Sequence, residues 1–160
     1  MYHYKVKISY RGTRYFGWQS QPNESYETVH ATIYQVLRRI SKYQDCNIAG
    51  ASRTDAGVHA SGQVAKISIP KQIDSDKLLL GMNSLLPEDI RIMQCQVCDS
   101  SFNPNRDSKT KEYHYYFSVS EVETPLLNQV VASINTPLDF DLMNEAAMKF
   151  IGEHDFYNFA

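Results

Sequence analysis

Around the middle of the chain, Arg53-Thr54-Asp55-Ala56-Gly57-Val58-His59 sets two opposite charges and a histidine between a small-residue stretch and an apolar run. An aspartate before Ala-Gly is, by itself, the kind that hydrogen-bonds its own turn. Arg53 lies two residues away, so in an extended segment both side chains project to the same side, and a neighbouring cation keeps a sheltered carboxylate ionised. An ionised, sheltered aspartate is a candidate nucleophile. His59 has no serine or cysteine nucleophile in a recognisable elbow to serve, so packing or hydrogen bonding is its expected role. A glycosidase needs two carboxylates across a cleft. Glu88, Asp89, Asp99 and Glu112 are available but stand in no motif.

A second tract, "FNPNRDSKTKEYHYYF", interleaves Arg106, Lys109 and Lys111 with aromatics. Such a surface meets phosphates and stacks on an unstacked base. It reads equally as a cross-strand aromatic ladder behind a solvated basic loop. Arg11 and Arg14 belong either to the same patch or to a turn.

The elements that position these residues follow from periodicity. Tyr4, Val6, Ile8 and Tyr10 alternate with polar neighbours as a half-buried strand. After a glycine-bearing loop, Ser25 is placed to cap a helix with Val29, Ile33, Val36, Leu37 and Ile40 on one face. "CNIAGA" and "GQVAKISI" predict two strands flanking the Asp55 loop. "DSDKLLLGMNSLL" predicts a helix ending before Pro87, and "IRIMQCQVC" a strand offering Ile90, Ile92, Met93 and Val97 to the core. The order β-α-β-β-α-β is the split βαβ pattern of a ferredoxin-like, RRM-like antiparallel sheet with two helices on one face, an α+β fold. It spans residues 1–100. Residues 101–160 then begin a second α+β domain. There "KEYHYYFSVS" forms a strand with Tyr113, Tyr115, Phe117 and Val119 on one face, and "PLDFDLMNEAAMKF" an amphipathic helix. Phe156, Tyr157 and Phe159 at the end need a partner surface, so this second domain is expected to be cut short.

Bulk properties set the limits. Among 160 residues, 16 lysines and arginines stand against 18 acidic residues, a net charge of −2, so nucleic-acid binding must rest on a local patch. The chain has no run of about 18 apolar residues and no signal-like start, so a cytoplasmic location is expected. Three cysteines with a single C-x-x-C lack a zinc ligand set and read as plain thiols.

Four segments together, "SYRGTRYFGWQSQ", "GASRTDAGVHASGQV", "MNSLLPEDIRI" and "KTKEYHYYF" before "GEHDF", resemble the tRNA pseudouridine synthase A family from Tyr4 to Phe159 in the family's order. The resemblance implies an isomerase that converts uridine to pseudouridine in the tRNA anticodon stem-loop, at tRNA positions 38 to 40, with neither metal nor organic cofactor. It implies that Asp55 is the catalytic aspartate, Arg53 the arginine that fills or guides the space left by a flipped base, and Tyr113 the tyrosine that packs on that base. A backbone-holding loop would include Phe102, Asn103 and Arg106, with Lys109 beside it. The resemblance further implies a homodimer with tRNA as partner. Two positions depart from the family pattern: Arg11 stands where Tyr-Asp-Gly has its aspartate, and Arg106 is displaced by one position in Phe102-Asn103-Pro104-Asn105-Arg106. The family's later F-L-x-x-M-V-R segment, whose basic residue pairs with the aspartate, has no match here. The chain alone is therefore expected to be poorly active. A non-catalytic tRNA-binding module lacking that half of the site is the alternative reading.

Overall fold

The computed structural model describes residues 1–19, 26–119 and 125–159. Contacts divide the chain into two compact units, Met1–Glu112 and Tyr113–Ala160.

In the first unit the element order is β1 (Tyr2–Tyr10), α1 (Val29–Ile40), β2 (Asn47–Gly50), β3 (Ala60–Ile69), α2 (Ser75–Leu85) and β4 (Ile90–Val97). The strands form one antiparallel sheet in the order β2-β3-β1-β4. This is the ferredoxin-like arrangement expected from the split βαβ pattern. Alternation does the sorting: Tyr4, Val6, Ile8 and Tyr10 of β1 and Ala65, Ile67 and Ile69 of β3 face the helices and are buried. Val29, Ile33, Val36 and Leu37 of α1 and Leu78 and Met82 of α2 close over them in one core cluster.

The caps are local chemistry. Asp74 accepts from the backbone N–H groups of Asp76 and Lys77 and starts α2. For α1 the cap is Thr28, whose hydroxyl oxygen accepts from Ala31 N at 3.2 Å. That corrects the expectation of Ser25, which itself lies outside the described residues. Val29 and His30 begin the helix, and their N–H groups bond to the carbonyls of Gly17 and Trp18 instead of to a side chain.

β4 also departs from simple alternation. A register shift against β1 between Lys7 and Ile8 resets the inward face from Ile90 and Ile92 to Cys95. Met93 falls at the shift and is exposed, and Val97 at the strand's last position is 68% exposed, so neither joins the core. The three cysteines are free, Cys95 buried and the other two half-buried.

The second unit holds β5 (Phe117–Ser118) paired in parallel with β6 (Ala132–Ser133), and α3 (Phe140–Met148) capped by Asp139. The long aromatic strand expected from Lys111 is thus only two residues of ladder among the described residues. A strand needs a hydrogen-bonding neighbour, and among the described residues only Phe117 and Ser118 find one. Tyr113, Tyr115 and Tyr116 are exposed, as are Leu142, Met148 and Phe150 of the helical region. Phe150 and Phe156 stack, and Phe159 meets both edge to face.

Candidate active site

The loop from Ala51 to His59 joins β2 to β3 at the end of the sheet where β1 also ends. Its backbone is gripped by the turn that follows β1. Trp18 N–H donates to the carbonyl of Thr54 at 3.0 Å, Gly57 N–H to that of Tyr15 at 3.1 Å, and Gly12 N–H to Nδ1 of His59 at 3.2 Å. The Thr54 hydroxyl is 2.9 Å from the Tyr10 hydroxyl. On the other flank Ala51 N–H bonds to Val64, Gln63 Nε2 donates to the Ser52 carbonyl, and Asn105 Nδ2 donates to the Ala51 carbonyl at 3.0 Å. His59 therefore serves as a hydrogen-bond acceptor that locks the loop.

The two segments approach too closely for side chains. A Cβ on Gly12 would run into the carbonyl of Val58, and one on Gly17 into that of Thr54. Gly17 also holds φ +77°. Trp18, fully buried, lies against the backbone of Gly50.

Within the loop, Val58 N–H donates to the Asp55 carbonyl at 3.2 Å, and Gly57 takes φ +79°. This is a four-residue turn with glycine at the third position, where type II geometry demands it. The turn is closed by backbone. Among the described residues the Asp55 carboxylate accepts no hydrogen bond and has no ion-pair partner, and its residue is exposed. Arg53 is exposed as well and does not pair with Asp55. The ionic contact anticipated from their spacing is absent: both side chains stay exposed, and the turn that Asp55 opens runs away from Arg53.

A buried network fixes the gripping turn. Tyr15 Oη donates to Asp89 Oδ1 at 2.7 Å, Arg14 lies 3.6 Å from Asp89 Oδ2, and Arg11 N–H donates to the Asp89 carbonyl. Burial, and then the adjacent Asp89, push the Tyr15 phenol well above its ordinary pKa. Asp89 is consumed as a structural acceptor, which removes it as a second carboxylate for glycoside hydrolysis. Tyr15→Phe should cost about 1–3 kcal/mol, since it strips a buried carboxylate of its closest donor. Urea denaturation reads this directly, and a loss below about 0.5 kcal/mol would contradict the network's role. Sequence reasoning missed this network: Tyr15 and Asp89 are 74 residues apart, and no local pattern couples them.

The remaining candidate residues divide between the units. Phe102, Asn103 and Arg106 belong to a strap across the first unit. Lys66 Nζ donates to the carbonyls of Ser100 and Phe102, and Lys5 Nζ sits 5.5 Å from the centre of the Phe102 ring. The Asn103 amide oxygen accepts from the N–H groups of Asn105 and Arg106, so it shapes the strap. Arg106 pairs with Asp107 at 2.8 Å and donates to the Ser101 carbonyl. Arg106 holds the Asp107 carboxyl below the usual range. The displaced arginine is thus tied into its own loop, while Asn105 ties that loop to Ala51 beside the Asp55 turn. Lys109 is exposed. Tyr113 lies in the second unit. Among the described residues no group of three or more His, Cys, Asp and Glu side chains is arranged to hold a metal ion. None of their helices is long and apolar enough to cross a membrane.

A ferredoxin-like sheet that presents an unpartnered aspartate on a backbone-clamped loop defines the class to which the comparisons point. A family described as tRNA pseudouridine synthase matches residues 7–105, which contain Arg53, Asp55, Phe102 and Asn103. All of this chain aligns with the tRNA pseudouridine synthase A 2 of Desulfotalea psychrophila at 46% identity, covering 64% of that protein. It aligns over its whole length with the tRNA pseudouridine synthase A 1 of Protochlamydia amoebophila at 38%, and with the tRNA pseudouridine synthase A of Thermodesulfovibrio yellowstonii at 41%, covering 62% of each. The chain belongs to the tRNA pseudouridine synthase family. It spans a little under two thirds of the length of these curated relatives.

Proposed function

We propose that this protein isomerises uridine to pseudouridine in the anticodon stem-loop of tRNA, at positions 38 to 40, with Asp55 as the catalytic residue. The observation that carries the reading is the state of Asp55. The loop spends many backbone bonds on holding its shape, yet leaves this one carboxylate exposed and without a partner among the described residues. A structural aspartate would have closed its own turn.

The chemistry asks for little else. The target nucleotide leaves its stack so that the glycosidic bond can be reached. Asp55 assists cleavage of the bond between uracil N1 and ribose C1′. The uracil turns, C5 bonds to C1′, the C5 proton leaves and N1 takes one up. Atoms and electrons balance without oxidant, reductant or co-substrate, which supports a reaction with neither metal nor organic cofactor. Arg53, exposed beside the turn and not ion-paired there, is free to enter the space that the flipped base vacates. Tyr113 packs on the base. Phe102, Asn103, Arg106 and Lys109 hold the RNA backbone, a role that positions without reading sequence. Residues 101–160 begin the second α+β domain. The protein works as a homodimer in the cytoplasm, where tRNA is matured.

Incubating the protein with a tRNA transcript and mapping pseudouridine along it tests this reading. Conversion of anticodon-arm uridines is the expected result. Binding without any product would select instead the non-catalytic RNA-binding module, and release of free uracil a hydrolase.

A further inference from the structure

The helices cover one face of the sheet, and the other is open and shows a charge pattern that the Asp55 site does not use. None of the 18 acidic residues lies in any of the four strands. On the open face, the register sets Lys5 directly opposite Lys66 across β1 and β3. Like charges in that position are destabilising unless something compensates them. Lys66 is compensated by two carbonyls of the strap, and Lys5 partly by the Phe102 ring. Lys7, two residues further along β1 on the same face, has neither. Its stem lies across Gly62, where a Cβ would press on Lys7 Cε, and its ammonium takes part in no hydrogen bond or ion pair with a described residue.

β4 completes the pattern. Its register places Gln96 beside Lys5 and Gln94 beside Lys7, all four exposed, so the face carries two successive lysine and glutamine rungs. A concavity of about 340 Å³ lies between them, lined by Lys5, Lys7, Gly62, Val64, Gln94 and Gln96. Each rung offers one cation and one neutral amide donor, and successive rungs are about 7 Å apart along the strand. Asp99 brings a negative charge near His3 and Lys66.

We propose that this open sheet face is an RNA-backbone site, in which Lys7 with Gln94 and Lys5 with Gln96 hold two successive phosphates of the substrate strand. The inference rests on the reading of the protein as a tRNA-modifying enzyme and extends it. Charge complementarity selects the occupant: the face has cations and amide donors, no carboxylate of its own, and glycine at Gly62 where the lysine stem must lie flat. The same end of the sheet carries the Asp55 loop, since Gln63, next to Gly62, bonds to Ser52. A strand held here leads toward the catalytic turn.

The test is the affinity of the protein for a tRNA transcript across a salt series, for the native chain, Lys7→Ala, Gln94→Ala and Lys71→Ala. Lys71 is exposed in the turn after β3 and serves as an off-face cation. Lys7→Ala should weaken binding on the order of five- to tenfold near 0.1 M salt and reduce the salt slope by about one. Gln94→Ala should weaken binding without changing the slope. Lys71→Ala should do neither. Native slope and affinity in Lys7→Ala would overturn the face as an RNA site while leaving the catalytic reading intact. A slope change equal in Lys7→Ala and Lys71→Ala would reduce it to non-specific charge and also overturn it. If the native protein fails to bind tRNA at all, both readings fall together. Because Lys7 is exposed and outside the core, the variant's melting temperature should match the native one, separating lost contact from lost fold.

Discussion

Asp55→Ala should abolish pseudouridine formation while leaving the fold intact. The carboxylate is exposed and accepts no hydrogen bond from a described residue, so its removal leaves no buried donor orphaned and should change stability by no more than about 0.5 kcal/mol. Turnover is a different matter. The reaction has one carboxylate in this loop to work with, and removing such a group costs on the order of 10³-fold or more. Asp55→Asn, which keeps the shape and removes the charge, should fall equally far. Asp55→Glu keeps the charge but moves it by roughly one bond length, and a misplacement near 1 Å costs about 10²-fold. The ranking native, then Glu, then Asn and Ala together, is what an ionised, positioned aspartate predicts. A stability loss that parallels the activity loss would instead make Asp55 a structural turn residue.

The second large effect is steric. Gly17→Ala should destabilise the protein by about 2–4 kcal/mol and loosen the catalytic loop with it. A left-handed conformation for a residue with a side chain costs about 1–2 kcal/mol, and the new methyl meets the Thr54 carbonyl, a backbone atom that cannot rotate aside. That carbonyl is the acceptor for Trp18 N–H, so the clash breaks the bond that seats the loop. Gly57→Ala supplies the internal comparison. Gly57 has almost the same φ, +79°, but nothing lies within 4 Å of its Cβ position. It should therefore lose only the conformational part, about 1 kcal/mol. Chemical denaturation of the two variants separates strain from collision. Equal losses would mean that the close approach of the two loops contributes nothing.

How far these features were legible follows from the range over which each is encoded. The four strands and two helices of the first unit are written in local alternation and helical spacing, and they appear where Tyr4 to Tyr10, Val29 to Ile40 and Ser75 to Leu85 predict them. Where a partner overrides local pattern, the sequence reads less well. The register shift opposite Lys7 and Ile8 turned Met93 outward, an event that no spacing within β4 announces. The tyrosine-rich segment has every propensity for a strand, but propensity supplies no ladder partner, and only Phe117 and Ser118 acquired one. The site shows the same division. Asp55 stood out because its motif is contiguous. The cradle around it did not, because Gly12, Tyr15, Gly17 and Trp18 act on residues about forty positions away through backbone atoms, which side-chain patterns do not record. The spacing of Arg53 and Asp55 misled as well: a shared side of the chain brings two side chains near each other but does not oblige them to pair, and both stay exposed.

The most direct measurement uses tRNA transcript carrying tritium at C5 of its uracils. Isomerisation must replace the C5–H bond with a bond to C1′, so each conversion sends one tritium into water, whatever route the aspartate takes to break the glycosidic bond. The native protein should release label from uridines of the anticodon arm. Asp55→Ala, shown by its melting curve to be folded and by a binding assay to hold the same tRNA, should release none. Tritium release by Asp55→Ala at the native rate would contradict the account at its centre.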